Sequence, residues 1–172
     1  MVSVKNKNSS FQRPTLYRRG VGVFLVNKDK KVFLGQRRDA TQAWQLPQGG
    51  VDFGESMSIA AYRELFEETG IRKADLIYKS KKWYRYDLPE HLLGKVWRGR
   101  FCGQKQKWFL MLFTGDEERD INLEAFNYQE FQKWKWVSPD SIVEYASSFK
   151  KHVYEGLQEE MIPIIDKLQI RD

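Results

Sequence analysis

Three glutamates on one predicted helix constrain this chain more than any other feature. Residues 56–69 contain no proline or glycine and are rich in good helix formers, and Gly70 is placed to end the helix as a left-handed cap. At about 100° per residue, Glu64, Glu67 and Glu68 share one arc of the helix surface. Because like charges at this spacing repel, the three carboxylates need a cation beside them.

The two faces of this helix predict what each one contacts. The face that we expect to pack on a core carries Ile59, Tyr62, Leu65, Phe66 and Thr69. On the same face as the glutamates, but nearer to the start of the helix, lie Met57, Ala60 and Ala61. Small residues there leave room, so the pattern predicts an open face along which a ligand lies.

The carboxylates favour a hard metal ion. Arg63 reaches one of them, Glu67, one turn later, and it cannot neutralise all three. Mg²⁺ and Mn²⁺ prefer oxygen ligands, keep some of their waters and take their remaining ligands from substrate phosphates. The alternative for the three glutamates alone is a solvated acidic helix face, and the segment before the helix decides between the two.

That segment has a fixed spacing. Gly49 is followed after five residues by Glu55, and after seven more by the run RELFEETGI, which starts at Arg63. With this spacing, residues 49–71 resemble the box that defines the Nudix hydrolases. The resemblance implies an enzyme that depends on Mg²⁺ or Mn²⁺, with more than one ion bound, and that cleaves a nucleoside diphosphate linked to another group.

The rest of the chain predicts one α/β domain. Helices are indicated from Pro139 to about residue 145 and from Phe149 to about residue 161, before Pro163. We therefore predict a Nudix-type α/β/α sandwich, with a mixed sheet between helices. The domain spans residues 17–162, between a loose N-terminal arm (1–16) and a C-terminal tail (163–172). Strands are indicated at residues 20–27, 31–37, 75–80, 82–87, 104–114 and 130–137, and the first two form a hairpin.

Composition adds limits on the setting. A length of 172 residues with 41% apolar residues suits one domain with a real core. The single cysteine, Cys102, excludes an intramolecular disulfide and indicates a reducing cytoplasm. No apolar stretch is long enough to cross a bilayer, and the first ten residues lack the apolar core of a signal peptide, so we expect no membrane partner. The sequence leaves the oligomeric state open.

Positive charge is concentrated in one segment. Residues 79–107 contain nine lysines and arginines against two acids, Asp87 and Glu90. A basic segment opposite an acidic metal-binding helix suits a ligand that is a polyphosphate or a nucleic-acid end. A solvated basic loop that serves solubility is the alternative.

The resemblance extends beyond the box to one branch of the family. The stretches that carry it are YR (17–18), WQLPQGG (44–50), GQKQKWF (103–109), WKWVS (134–138) and SFK (148–150). They resemble the bacterial RNA pyrophosphohydrolases and dinucleoside polyphosphate hydrolases. This implies removal of pyrophosphate from the triphosphate or diphosphate 5′ end of RNA, without DNA readout. Cleavage of free dinucleoside polyphosphates is the alternative, and a nucleotide- or RNA-binding protein with an inactive site is the alternative from a different class.

The resemblance also implies roles for single residues. The implied catalytic residues are Glu64, Glu67, Glu68, Glu130 and Arg63, with Glu67, Glu68 or Glu130 as the general base. The implied metal ligands are the carboxylates and one carbonyl, those of Glu64, Glu67, Glu68, Glu130 and Gly49. The residues implied to hold the phosphates or the base are Arg18, Arg38, Gln48, Phe149 and Lys150.

Two further points concern substrate contacts. Of the two lysines at the start of strand 104–114, we assign Lys105 to the phosphates and Lys107 to the opposite face. Where the branch usually has proline after Tyr-Arg, this chain has Arg19 and Gly20, and residues 115–129 align poorly with the branch. The sequence therefore leaves the fine substrate preference open.

Overall fold

The computed structural model describes residues 12–170. Residues 1–11 of the predicted arm and residues 171–172 of the predicted tail lie outside this range. Residues 12–16 have no regular structure, and the Leu16 carbonyl accepts a hydrogen bond from the Cys102 N–H at 2.8 Å. This contact fixes the chain where the first strand begins.

Eight strands form one mixed sheet at the centre of the fold. They are β1 (Tyr17–Val26), β2 (Val32–Arg37), β3 (Trp44–Gln45), β4 (Gln48–Gly50), β5 (Ala74–Lys79), β6 (Tyr84–Asp87), β7 (Gly103–Phe113) and β8 (Phe131–Val137). The order along the sheet is β3-β2-β1-β7-β5, with β4 beside β1, β6 beside β7 and β8 beside β2. β1 and β7 are parallel, and the other pairs within residues 12–170 are antiparallel.

The parallel pair β1–β7 forms the middle of the sheet. Val21, Val23 and Leu25 of β1 belong to the core on one face, whereas Phe24 and Val26 belong to the core on the other, and all five are fully buried. Burial on both faces is typical of parallel strands and explains why β1 is a nearly continuous apolar run.

Helices cover both faces of the sheet. α1 (Met57–Thr69) packs on one face, whereas α3 (Ile142–Tyr145) and α4 (Lys151–Asp166) pack on the other. A single helical turn, α2 (Glu117–Asp120), interrupts the loop before β8. The predicted α/β/α sandwich with a mixed sheet is confirmed. None of the helices in the described part of the chain is both long and apolar enough to cross a membrane.

The predicted ends of α1 are confirmed. The Ser56 hydroxyl accepts a hydrogen bond from the Ile59 N–H at 3.3 Å, which satisfies one of the free amides of the first turn. Gly70 has φ of 74° and donates its N–H to the Phe66 carbonyl at 2.8 Å. This left-handed conformation favours glycine, so the helix ends where the sequence indicated.

The predicted faces of α1 are partly wrong. Ile59, expected in the core, is 62% exposed, whereas Ala60 and Ala61, expected on an open face, are fully buried against the sheet with Leu65. Two alanines let the helix approach the strands closely, which a larger side chain would prevent. As a result, Glu68 is buried rather than solvated.

The hairpin at β1 is shorter than predicted. β1 pairs with β2 only at Val26 and Val32, because β4 takes the part of this edge nearer to the start of β1. The stretch WQLPQGG, for which no strand was predicted, thus forms β3 and β4, whose backbone groups find partners on β2 and β1. This pairing holds the chain before α1 against the sheet.

The last helix is longer than predicted and continues through Pro163 to Asp166. Pro163 is exposed, while Ile165 beyond it is only 1% exposed and packs in the core. Burial of Ile165 offsets the backbone hydrogen bond that proline cannot make. Residues 163–166 of the predicted tail are therefore part of α4.

The revised orientation of α1 predicts opposite results for two similar substitutions. Leu65→Ala empties a buried position and should lower the free energy of unfolding by about 2–5 kcal/mol. Ile59→Ala removes an exposed side chain and should change it by less than about 0.5 kcal/mol. Urea denaturation of the two variants is the measurement. A larger loss for Ile59→Ala than for Leu65→Ala would contradict the orientation.

Candidate active site

A cleft of about 460 Å³ lies where β4 runs between β1 and the C-terminal half of α1. Acidic and basic side chains face each other across it, and aromatic residues close one side. The lining residues include Arg18, Arg37, Gln48, Gly49, Glu64, Glu68, Tyr86, Gln104, Glu130, Phe149 and Lys150. The structure thus brings most of the residues predicted for the site into one place.

Strand β4 and helix α1 are in direct contact through the glutamates. A Cβ atom added at Gly49 would lie 1.9 Å from the carboxyl carbon of Glu64, so a larger residue at this position would displace that carboxylate. The Gln48 N–H donates a hydrogen bond to Glu68 Oε2 at 3.0 Å. Strand β4 thus contacts two of the three glutamates of α1, Glu64 and Glu68.

Arg63 connects the loop, the helix and β4. Its Nε and Nη2 donate to the two carboxylate oxygens of Glu55 at 2.8 and 2.9 Å, and Nη2 also donates to the Gly50 carbonyl at 2.8 Å. Nη1 donates to Glu64 at 2.9 Å and to Glu67 at 3.3 Å. Arg63 therefore neutralises more than the single carboxylate expected from the helix alone. Hydrogen bonds from Arg63 lower the pKa of Glu55 to about 2.

Two glutamates are held in an environment that opposes their charge. Burial raises the pKa of Glu68 well above its ordinary value, and the negative charges of Glu64 and Glu130 raise it further. The Gln48 amide and Lys150 act in the opposite direction. Burial also raises the pKa of Glu64, although Arg63 opposes the shift. Without another cation, the negative charge of the buried Glu68 carboxylate is not fully compensated by the bases around it.

The donor set fits a hard divalent ion. Glu64, Glu68 and Glu130 line the same cleft with the Gly49 backbone, so the available ligands are all oxygens. Within residues 12–170, no three acidic, histidine or cysteine side chains converge on one point. Arg63 explains this spread, because it draws Glu64 and Glu67 toward itself. Mg²⁺ needs only one or two protein carboxylates when phosphates and water complete its ligands.

The basic side of the cleft centres on Lys150, which is only 7% exposed. Burial and the neighbouring Arg37 lower the pKa of Lys150 to about 8, whereas Glu68 and Glu130 act to raise it. Its Nζ lies 5.0 Å from the centre of the Tyr86 ring. A lysine in this position is ready to hold an anion, because an incoming phosphate would restore its preference for the charged form.

Two glutamines that the sequence analysis did not assign support β4 from the other side. Gln104 Nε2 lies 3.4 Å from the Gly49 carbonyl, and its Oε1 accepts from the Tyr86 hydroxyl at 2.8 Å. Gln106 Nε2 donates to Gln48 Oε1 at 3.0 Å. Both glutamines are buried. Strand alternation in GQKQKWF could have predicted these positions, because it places Gln104, Gln106 and the buried Trp108 on one face.

The assignment of Lys105 and Lys107 to opposite faces is wrong. Residues two apart in a strand share a face, and both lysines lie beside Trp83, with Nζ 4.9 and 5.4 Å from the ring centre. Lys105 is exposed and does not line the cleft. The face that reaches the cleft carries Gln104 instead.

The two arginines at the end of β2 differ in position. Arg37 lines the cleft and lies 4.0 Å from Glu130 Oε1, in addition to its ion pair with Asp39 at 2.6 Å. Arg38 is exposed and lies 3.4 Å from Gln129 Oε1, outside the cleft lining. The structure therefore places Arg37, which was not predicted, where Arg38 was expected.

The remaining predicted contacts with substrate lie at the cleft. Arg18 lines it and stacks over Trp97, with Cζ 5.3 Å from the ring centre. Phe149 packs against Tyr86 at 5.6 Å between ring centres. Phe149 also lines a second cavity of about 740 Å³, which shares Arg37 and Lys150 with the cleft. One aromatic ring thus stands at the junction of a charged cleft and a cavity lined largely by apolar groups.

Known proteins share both the sequence and the fold. A family model described as NUDIX domain matches residues 16–157. The chain is 49% identical over 144 residues to an RNA pyrophosphohydrolase of Wolbachia sp. subsp. Brugia malayi (strain TRS), which covers 84% of this chain and 89% of that protein. It is 45% identical over 161 residues to an RNA pyrophosphohydrolase of Rickettsia bellii (strain OSU 85-389), which covers 93% and 99%.

Among solved structures, the E. coli dihydroneopterin triphosphate pyrophosphohydrolase matches with a TM-score of 0.64 and 23% identity. The match covers 84% of this chain and 99% of that chain. At this identity the likeness is one of fold.

The buried charge of Glu68 predicts a pH effect in metal-free protein. Because the folded-state pKa is raised, the stability present below the ordinary value of 4.5 is lost as pH rises toward the folded-state pKa. Glu68→Gln keeps the size and removes the charge. In EDTA at pH 7 the variant should therefore be more stable than wild type, and the difference should vanish at about pH 4.

Urea denaturation with EDTA or with Mg²⁺ measures both parts of this expectation. Mg²⁺ should stabilise wild type more than Glu68→Gln, because the variant has lost a charged ligand. The exposed Glu144→Gln is the matched control and should behave as wild type. Equal stability of wild type and Glu68→Gln in EDTA at pH 7 would contradict the buried charge.

Proposed function

This chain belongs to the NUDIX family, and on that premise we propose that it is an RNA pyrophosphohydrolase, which removes pyrophosphate from the 5′ end of RNA. One observation carries the proposal beyond the family. The carboxylates of Glu64, Glu68 and Glu130 face Arg18 and Lys150 across a single cleft. Such a site suits a polyphosphate, which needs cations on its outer oxygens and a metal at the bond that breaks.

We propose that Mg²⁺ or Mn²⁺, with more than one ion, is held by the side chains of Glu64, Glu67, Glu68 and Glu130 and by the Gly49 carbonyl. When bound, such an ion neutralises charge on the phosphates and lowers the pKa of a water molecule. The protein supplies the rest. Arg63 fixes the orientation of Glu64 and Glu67, while the Gln48 amide fixes Glu68.

The cations of the cleft position the phosphate chain. Arg18 and Lys150 were expected there, and Arg37 joins them as a third donor of hydrogen bonds to anionic oxygens. Glu68 and Glu130 line the cleft, whereas Glu67 does not, so we assign the general base to one of the first two. The proton would pass from the attacking water to that carboxylate.

Hydrolysis of free dinucleoside polyphosphates is the second candidate activity. The cavity of about 740 Å³ beside the cleft is favourable to it, because its lining includes two further rings, those of Trp44 and Tyr145. A cavity lined by aromatic rings suits a nucleoside, both at the end of an RNA and in a free dinucleoside polyphosphate. A reducing cytoplasm, indicated by the single cysteine, is the compartment that we propose for either substrate.

Incubation of the protein with Mg²⁺ and two substrates tests the proposal. The substrates are triphosphate-ended RNA and diadenosine tetraphosphate. Release of pyrophosphate and of monophosphate-ended RNA, at a higher kcat/KM than for the dinucleotide, is the expected result. A higher kcat/KM for diadenosine tetraphosphate would reverse the order of the two candidates. Binding of both without turnover would indicate an inactive binding protein.

Phe149 is predicted to distinguish the two substrates further. A lost stack on a base costs about 1–3 kcal/mol, or roughly five- to a hundredfold in rate when it is present in the transition state. Phe149→Ala should therefore slow RNA turnover by this factor and affect diadenosine tetraphosphate less. Phe149→Tyr keeps the ring and is the control.

Steady-state kinetics with both substrates check this expectation, and melting curves exclude a folding defect. An equal loss on both substrates, with an unchanged melting temperature, would place the two in one nucleoside site. In that case the RNA-specific role of Phe149 would be wrong. Arg38→Ala belongs in the same series, because its predicted contact with the base is a separate expectation.

A further inference from the structure

A group of cations surrounds one half-exposed tryptophan on the opposite side of the sheet from Gln104. Trp83 is 41% exposed, and Arg19, Lys105 and Lys107 place their charged groups 5.9, 4.9 and 5.4 Å from its ring centre. Arg85 lies on the same face, with Cζ 4.8 Å from the centre of the Tyr17 ring. We call these five residues, Arg19, Trp83, Arg85, Lys105 and Lys107, the tryptophan platform.

The platform has a defined shape. An open depression of about 550 Å³ is lined by Thr15, Leu16, Tyr17 and four of the platform residues, all except Lys107. Lys107 is held in place, because its Nζ donates to the carbonyls of Ser80 and Lys81 at 3.0 and 2.6 Å. The surface thus combines a ring, a shallow depression and several cations, of which Lys107 is held by hydrogen bonds.

The positive charge of the platform is not compensated within the described part of the chain. None of its four cations takes part in a salt bridge there. The nearest acid on β6, Asp87, is already bonded to the Tyr17 hydroxyl. Like charges gathered around one ring repel one another, so an anionic partner is the ligand that would stabilise them.

The platform lies behind the cleft, at the same end of the sheet. On β1, Arg18 lines the cleft and Arg19 lines the depression. On β7, Gln104 lines the cleft and Lys105 lines the depression. The Arg19 carbonyl also accepts a hydrogen bond from the Val51 N–H at 3.3 Å. Val51 directly follows β4. Because neighbouring residues of a strand point to opposite faces, the two surfaces lie back to back at the end of the sheet where β1 and β7 begin. An RNA chain that leaves the cleft would reach the platform around that end of the sheet.

We propose that the tryptophan platform binds the single-stranded part of an RNA substrate downstream of the nucleotides in the cleft. Cations that contact the backbone and an aromatic ring that stacks a base are the means by which proteins bind single strands without reading sequence. This inference rests on the proposed function for its choice of RNA. A depression this open does not enclose a free nucleotide, which favours a chain that continues from the cleft.

Binding of a 20-nucleotide single-stranded RNA with a 5′ hydroxyl tests the platform apart from catalysis. Arg19→Gln with Lys105→Gln removes two exposed charges. Fluorescence anisotropy should show binding weakened by about three- to tenfold at low salt, and the slope of log Kd against log salt should fall by about 1.4. An unchanged slope would overturn the proposal.

The matched control neutralises two exposed lysines at the other end of β1. Lys28→Gln with Lys31→Gln makes the same change in net charge at the turn before β2. This control should leave the salt slope as in wild type. An equal effect of both pairs would mean that net charge alone attracts RNA, and the platform would be wrong.

Trp83 tests the stacking part of the proposal. Trp83→Ala should weaken binding of the 20-nucleotide RNA by about fivefold or more, whereas Trp83→Phe keeps a ring and should stay within about twofold of wild type. Equal losses for both substitutions, with unchanged melting temperatures, would overturn the stack.

Turnover separates a failure of the platform from a failure of the proposed function. The substrates are a triphosphate-ended dinucleotide and a triphosphate-ended 20-nucleotide RNA. Arg19→Gln with Lys105→Gln should raise KM for the longer RNA alone, with kcat unchanged. If wild type cuts the dinucleotide and the variant handles both lengths as wild type does, the platform is wrong. If wild type cuts neither RNA, the proposed function is wrong, and the binding experiment still decides the platform.

Discussion

The site depends on one guanidinium group. Arg63 contacts Glu55 in the loop, Glu64 and Glu67 on α1, and the Gly50 carbonyl on β4. Three consecutive segments of the chain thereby keep a fixed arrangement. Because Arg63 neutralises carboxylates beside it but does not contact Glu68, it also leaves a buried negative charge in the cleft. That remaining charge is what a divalent ion would satisfy.

Small residues make this arrangement possible. Ala60 and Ala61 let α1 lie close to the sheet, and Gly49 leaves space for the Glu64 carboxylate on β4. The same closeness buries Glu68 and gives it the Gln48 amide as a partner. Packing of Ala60 and Ala61 thus holds the acidic helix against the sheet. The hydrogen bond from the Gln48 amide offsets part of the free energy that burial of the Glu68 charge costs. Stability of the free protein and affinity for cations are therefore linked.

The sequence predicted the layers of the fold and the glutamates of the box, because both depend on spacing along one element. It did not predict contacts that depend on how elements meet. Ile59 has the larger apolar side chain, yet it is exposed, and Ala60 and Ala61 are buried because their face of α1 packs on the sheet. The pairing of β2 with β8 shifts register between Gln36 and Arg37, and this shift decides which arginine faces the cleft. No local sequence pattern predicts such a shift. The position of Gln104 could have been predicted from the sequence, since strand alternation places it on the opposite face from Lys105.

We propose that the carboxylates of α1 and the cations opposite them form a site for phosphoanhydride hydrolysis at RNA ends. The most direct measurement is Mg²⁺-dependent release of pyrophosphate from triphosphate-ended RNA by wild type, Glu67→Gln and Glu68→Gln. Each variant should keep its circular dichroism spectrum and lose on the order of a hundredfold or more in kcat/KM. Turnover within a few-fold of wild type for both variants would contradict the assignment of this site.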